Sequence, residues 1–151
     1  MKVLVCGSRE WTDMETIRSA LATLPPGSVV VNGGQGYFDD KTRRWVGADT
    51  ISTVAAWSMG IHVVEIPANW WTEGKAAGPK RNARMLAEHP DIEAVWAFRL
   101  PGRSPGTDGM MRLALERRIP VVLTVPDDEV GYISRAFSSV TELDLWSSSR
   151  V

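Results

Sequence analysis

One cysteine, Cys6, is all the chain has, so no disulfide can form within it and a reducing, cytoplasmic setting is the expectation. Cys6 lies inside an apolar run and reads as core rather than nucleophile. Histidine is nearly as scarce. His62 and His89 fall near the ends of predicted elements without partners at metal-ligand spacing, so neither a metal site nor a cofactor is expected. No apolar run approaches the roughly 20 residues that span a bilayer, and no membrane association is expected. The opening MKVLVCGS has one lysine and a short apolar run that ends in a glycine turn, which suits a strand better than a secretion leader. An excess of one charge sign is also lacking. With 17 Lys and Arg against 18 Asp and Glu, the formal charge is −1, which makes nucleic acid an unexpected partner and confines any basic site to a local cluster.

What is present is the composition of a globular protein, 44% apolar and 23% charged, in 151 residues that read as one domain with a substantial core. Short apolar runs alternate with helix-like segments. KVLVCG, SVVVNGG, IHVVEIP, AVWAF and IPVVLTV carry continuous Val and Ile content without polar alternation, as do strands covered on both faces. Thr12 and Glu15 have capping-box spacing, and Met14, Ile17, Leu21 and Leu24 then recur at helical period. Asp49 is placed to cap a second helix, Pro79 to start a third and Thr107 to cap a fourth. The rhythm predicts an α/β fold, a Rossmann-like doubly wound and mostly parallel sheet with helices on both faces. DDEVGYISRAF is expected to form a last helix on the sheet.

Ligands of open α/β sheets bind beyond the carboxyl ends of the strands, so those ends matter most. The first holds Gly7, Ser8, Arg9 and Trp11; Ser8 and Arg9 suit a phosphate, whereas Trp11 reads equally as a base-stacking ring or a cover for the first helix. The second holds Gly33 and Gly34, with Asp49 at the start of the next helix. The fourth, FRLPGRSPGTDG, holds Gly102, Ser104, Gly106 and Thr107. Glycines let backbone N–H groups approach a phosphate, and a following helix start adds its dipole. Beyond the third strand, GKAAGPKRNARM surrounds Gly78 and Pro79 with Lys75, Lys80, Arg81 and Arg84, ahead of Asn82. Positive side chains are unfavourable at a helix start, and such local conflicts mark functional sites. A bound phosphate would compensate Lys75, Lys80 and Arg81. Lys80 and Arg84 read equally well as solvated charges, and Arg81 has an ion pair with Asp49 or Asp108 as its structural alternative. Trp70 and Trp71 line either a pocket or an oligomer interface.

The ordered set GSREWTD, GG…GAD, PANWW…GKAAGPKRNARM and PGRSPGTDGM…IPV resembles the YspA-like branch of the SLOG superfamily, Rossmann-like proteins related to the LOG phosphoribohydrolases and to DprA. The resemblance covers roughly residues 2 to 125. It implies a pocket for a phosphate-bearing nucleotide or nucleotide derivative, with Arg81, Asn82 and Met85 matching the arginine-bearing helix start of LOG enzymes. Members of this branch are common in phage genomes, which suits an accessory role. LOG relatives pair through helices on the sheet face, and with Trp57, Trp70, Trp71 and Trp96 as apolar surplus this chain is expected to form a homodimer or higher even oligomer. Binding or sensing is the leading expectation; phosphoribohydrolase activity and DprA-like DNA binding are the alternatives. Two departures bear on this. Met110 stands where LOG enzymes have an acidic residue, leaving Asp108 as the local catalytic candidate. Residues 36–46 read as an insertion, either a lid, a partner surface or a solvated loop.

Overall fold

The computed structural model describes residues 1–149. In chain order it contains β1 (Lys2–Gly7), α1 (Met14–Leu21), β2 (Val29–Asn32), β3 (Tyr37–Asp39), β4 (Arg44–Val46), α2 (Ala48–Ser58), β5 (His62–Glu65), α3 (Trp70–Glu73), a 3-10 turn (Gly74–Ala76), α4 (Ala77–Glu88), β6 (Ala94–Phe98), α5 (Pro105–Glu116), β7 (Val121–Asp127), β8 (Gly131–Phe137) and α6 (Val140–Ser149). The central sheet has six strands in the order β5-β2-β1-β6-β7-β8, and β3 and β4 form a separate hairpin. The first five sheet strands run parallel; only β8 is antiparallel, to β7. This is the expected Rossmann-like arrangement.

The alternation of side chains along β1 accounts for its two covered faces. Val3 and Val5 join Ile17 and Leu21 of α1 and Ile51 and Ala55 of α2 in one core. Leu4 joins Met85 of α4, Met110 and Ala114 of α5 and Leu143 of α6 in the other. Val3, Leu4 and Val5 are wholly buried, which explains why the run carries no polar alternation. From β1 the chain steps outward through β2 to β5, then returns to the opposite side of β1 for β6. The order in which strands are added therefore reverses between the parallel β1 and β6, opening a crevice at their carboxyl ends.

Several local expectations are corrected. The cap of α1 is Asp13, not Thr12: its carboxylate accepts from Thr16 N at 3.0 Å, one residue ahead of the first helical position. Gly47, not Asp49, precedes α2. Gly47 has φ 109°, and a Cβ there would lie 2.9 Å from the Gln35 carbonyl, so a side-chain cap has no room and Asp49 falls in the first turn. Helix α4 begins at Ala77, two residues before Pro79, because the 3-10 turn feeds straight into it. Pro79 is still tolerated, since N–H groups of a first turn have no intrahelical acceptor. Ser104, not Thr107, occupies the cap position of α5.

DDEVGYISRAF forms no helix. Asp127 accepts from Glu129 N and Val130 N, Gly131 takes φ 88°, and the chain turns back as β8 beside β7. Residues 36–46 form a hairpin in which Phe38 and Trp45 meet edge to face at 5.0 Å. Trp96 is half-buried against the core, not surface surplus. Among the described residues no helix is long and apolar enough to cross a membrane.

Candidate functional site

A cavity of about 920 Å³ opens at the β1–β6 crevice, between the starts of α4 and α5. Its floor is the exit of β1. A Cβ on Gly7 would lie 2.2 Å from the Phe98 carbonyl and 2.6 Å from Ala48, so only glycine lets β1, β6 and α2 converge here. Ser8 clips this junction: its N–H donates to Phe98 O at 2.9 Å and its Oγ accepts from Leu100 N at 2.8 Å. Ser8 lines the cavity, and its hydroxyl has a proton to donate besides the bond it accepts.

Arg81 enters from α4 and is buried, only 6% exposed. Nε donates to Asn82 Oδ1 at 2.9 Å, and Nη1 donates to the carbonyls of Gly33 at 2.8 Å and Ile66 at 3.3 Å. The guanidinium thus ties the exits of β2 and β5 to α4. The expected alternative, an ion pair with Asp49 or Asp108, is replaced by these carbonyls, although Asp49 acts on Arg81 through its field. Nη2 has no partner among the described residues. Asn82 extends the unit by donating to Gly106 O of α5 at 3.4 Å.

Asp49 forms the wall beside Gly33 and is 8% exposed. Burial pushes its carboxyl up to about 6, opposed by the N–H groups of Gln35 and Gly33 and by Arg81. Burial also holds the Cys6 thiol well above its ordinary value, so Cys6 lines the cavity as an uncharged group.

Two helix starts converge on the cavity. Neither α4, after Ala76, nor α5, after Ser104, has a side-chain cap bond. Gly78 and Pro79 line it from α4, and Ser104, Gly106 and Thr107 from α5. Ser104 Oγ donates to Thr107 Oγ1 at 2.9 Å, which leaves the Thr107 hydroxyl to donate in turn. Around the rim stand Arg9, Lys75 and Arg103, and among the described residues no carboxylate lies within 4.0 Å of them. The cluster that looked uncompensated in the sequence therefore divides. Glu73 pairs Arg84 at 3.1 Å and Lys80 at 3.9 Å, Arg81 turns inward, and Lys75 stays at the cavity rim.

Four candidates lie elsewhere. Trp11 is wholly buried, against Phe98 at 5.6 Å and Tyr132 at 5.2 Å, with Nε1 donating to Asp13 O, so it stacks on no ligand. Gly34 lies outside the cavity wall; its N–H donates to Asn32 Oδ1 and its φ of 67° shapes the turn. Gly102 and Asp108 border a neighbouring cavity of about 500 Å³. Asp108 is held by Arg99 through Nε at 2.6 Å and Nη2 at 2.9 Å, turned from the main cavity. Met110 is 1% exposed in the core, so it offers nothing to a ligand. The sequence reading missed Arg103, one residue beyond Gly102, and the apolar wall Leu113; Met85, matched to the family's helix start, lines the cavity as well. Leu113 lies on the apolar helical repeat of α5 and reads as core from the sequence.

No protein-family profile matches the chain. The Gene 61 protein of Mycobacterium phage D29 is 40% identical to it over 130 residues, covering 80% of this chain and 94% of that protein. The chain belongs to the family of that phage protein.

Proposed function

We propose that this protein binds a phosphate-bearing nucleotide or nucleotide derivative in the main cavity, with the phosphate on the starts of α4 and α5. One observation carries the reading. Two helix starts without side-chain caps border one cavity at the sheet's switch point together with Arg81 and with Arg9, Lys75 and Arg103, none of which has a carboxylate partner among the described residues. Helix-start N–H groups and the helix dipole favour an anion, at α5 more than at α4, where Ala77 N–H already donates to Gly74 O and Pro79 has none, and a partly desolvated guanidinium strengthens that preference. The cavity is near the upper end of the roughly 300–1,000 Å³ typical of small-molecule sites, too large for phosphate alone. The resemblance to the SLOG proteins points to the same ligand class. Kinship to a phage protein suits an accessory role in a phage-infected cell.

Calorimetry with inorganic phosphate, nucleoside monophosphates and dinucleotides tests this, alongside mass spectrometry of whatever co-purifies. Lack of affinity for the whole panel would refute it. Cleavage of the N-glycosidic bond is a second reading, favoured by Asp49, a buried carboxylate at the cavity wall whose raised titration suits proton transfer near neutral pH. Chromatography of nucleotides incubated with the protein would detect the released base, and its loss in Asp49→Asn would identify the acid.

A further inference from the structure

Trp70 is the one aromatic side chain on the main cavity wall among the described residues. It keeps 46% of its surface exposed, whereas Trp11 is wholly buried. Its neighbour Trp71 is 99% exposed and does not border the cavity. The ring is held in place. Asn69 caps α3 by accepting from Thr72 N, and Glu73 ties the far end of that turn to Arg84 and Lys80 of α4. One ring edge rests against the start of α4, where a Cβ on Gly78 would stand 3.5 Å from Cη2. Over the ring lies Arg9, its guanidinium carbon 5.7 Å from the centroid. Two planar surfaces, one aromatic and one cationic, therefore border the same cavity as the uncapped helix starts.

We propose that Trp70, backed by Arg9, is the stacking wall for the ligand's base; this rests on the phosphate-binding reading and adds where the other end of the ligand lies. Every nucleobase presents a flat π face, so indole and guanidinium surfaces grip a base without reading its edges. The proposed phosphate site includes the first turn of α4, and Gly78 in that turn lies against the ring edge, so the phosphate and base sites are neighbours in one cavity. The site accordingly selects nucleotides over sugar phosphates and discriminates weakly between bases.

The test is calorimetry with inorganic phosphate, ribose 5-phosphate and adenosine 5′-monophosphate on the wild type, Trp70→Ala, Trp70→Phe and Trp71→Ala. In the wild type the monophosphate is expected to bind about 5- to 100-fold tighter than ribose 5-phosphate, the usual worth of one stacked base. Trp70→Ala should bring that ratio close to one while leaving ribose 5-phosphate unchanged. Trp70→Phe should keep most of the ratio, and Trp71→Ala all of it. An unchanged ratio in Trp70→Ala would overturn the stacking assignment while the phosphate site stands. Equal loss of ribose 5-phosphate and monophosphate in both Trp70 variants would mark the ring as structural and overturn it as well. A wild type with no affinity for any of the three probes would overturn the stacking assignment, and the phosphate-binding reading would fall with it only if the dinucleotides and the other monophosphates also fail to bind.

Discussion

Arg81 and Gly33 are built around each other: Nη1 donates to the Gly33 carbonyl at 2.8 Å, and a Cβ on Gly33 would come within 2.2 Å of that same nitrogen. The guanidinium occupies the space a side chain would need. Arg81→Ala is therefore expected to weaken phosphate binding and also to destabilise the fold by roughly 1–3 kcal/mol, because the buried Gly33 carbonyl and the partly buried Ile66 carbonyl lose a charged donor. A helix-start arginine in solvent would have cost nothing. Gly33→Ala should give the same double loss by displacing the guanidinium. Thermal unfolding and calorimetry on both variants check this; an unchanged melting temperature for Arg81→Ala would contradict it.

Asp49 makes both stability and anion affinity depend on pH. Burial raises its carboxyl from 3.8 to about 6, so the native state holds the proton more tightly than the unfolded chain. The group's contribution to stability is greatest below about pH 4, falls as pH rises towards 6 and is level above that. Every tenfold difference in proton affinity between the two states corresponds to about 1.4 kcal/mol. Asp49→Asn should therefore be more stable than the wild type at pH 8, by roughly 1–3 kcal/mol, and should lose the slope between pH 4 and 6. Protonation also removes a negative charge beside Arg81, so as pH falls through 6 the wild type's anion affinity should rise relative to that of Asp49→Asn, a comparison that cancels the phosphate's own titration. Denaturant titrations and calorimetry across that range read both effects.

Asp108 acts on the site through Arg99, which also donates to the carbonyls of Leu100 and Gly102. The pair is a brace for the loop that delivers Arg103 and Ser104 to the cavity. Asp108→Asn is expected to weaken ligand binding only a few-fold and to cost at most about 1 kcal/mol of stability, as for other partly exposed pairs. Complete loss of binding would return Asp108 to the ligand site.

Trp57, on α2, is 63% exposed, and Trp71 is 99% exposed. Large apolar side chains left in solvent mark association surfaces. Light scattering at micromolar concentration is expected to give an even-numbered oligomer, and Trp57→Ser to lower the association constant if α2 carries the contact. A monomer mass for the wild type would reject the expectation.

The parallel strands were legible because burial on both faces leaves nothing polar in runs such as VLV or VVV. β8 was not, since YISRAF lies at a sheet edge where exposed Arg135 and half-buried Ile133 blur the pattern. Within the site, Gly7, Gly33, Gly78 and Gly106 were legible from local chemistry, whereas Gly34 and Gly102 fall outside the cavity and the helix caps were misplaced by one to three residues. The inward turn of Arg81 was not, because its acceptors are backbone carbonyls distant in sequence that no residue type announces. Trp11 misled for the same reason: Phe98 and Tyr132, which bury it, belong to β6 and β8.

The pairing of β1 with β6, Leu4 beside Val95, joins segments some ninety residues apart, and the cavity exists only where they meet. Its floor comes from one half of the chain and its two helix starts from the other. Closing so long a loop is slow, and none of the ligand's grip is present until it closes. A ligand that needs both halves has no purchase on an early folding species. It should slow the protein's unfolding while hardly changing how fast it folds, acting as a latch on the finished chain and not as a template for it.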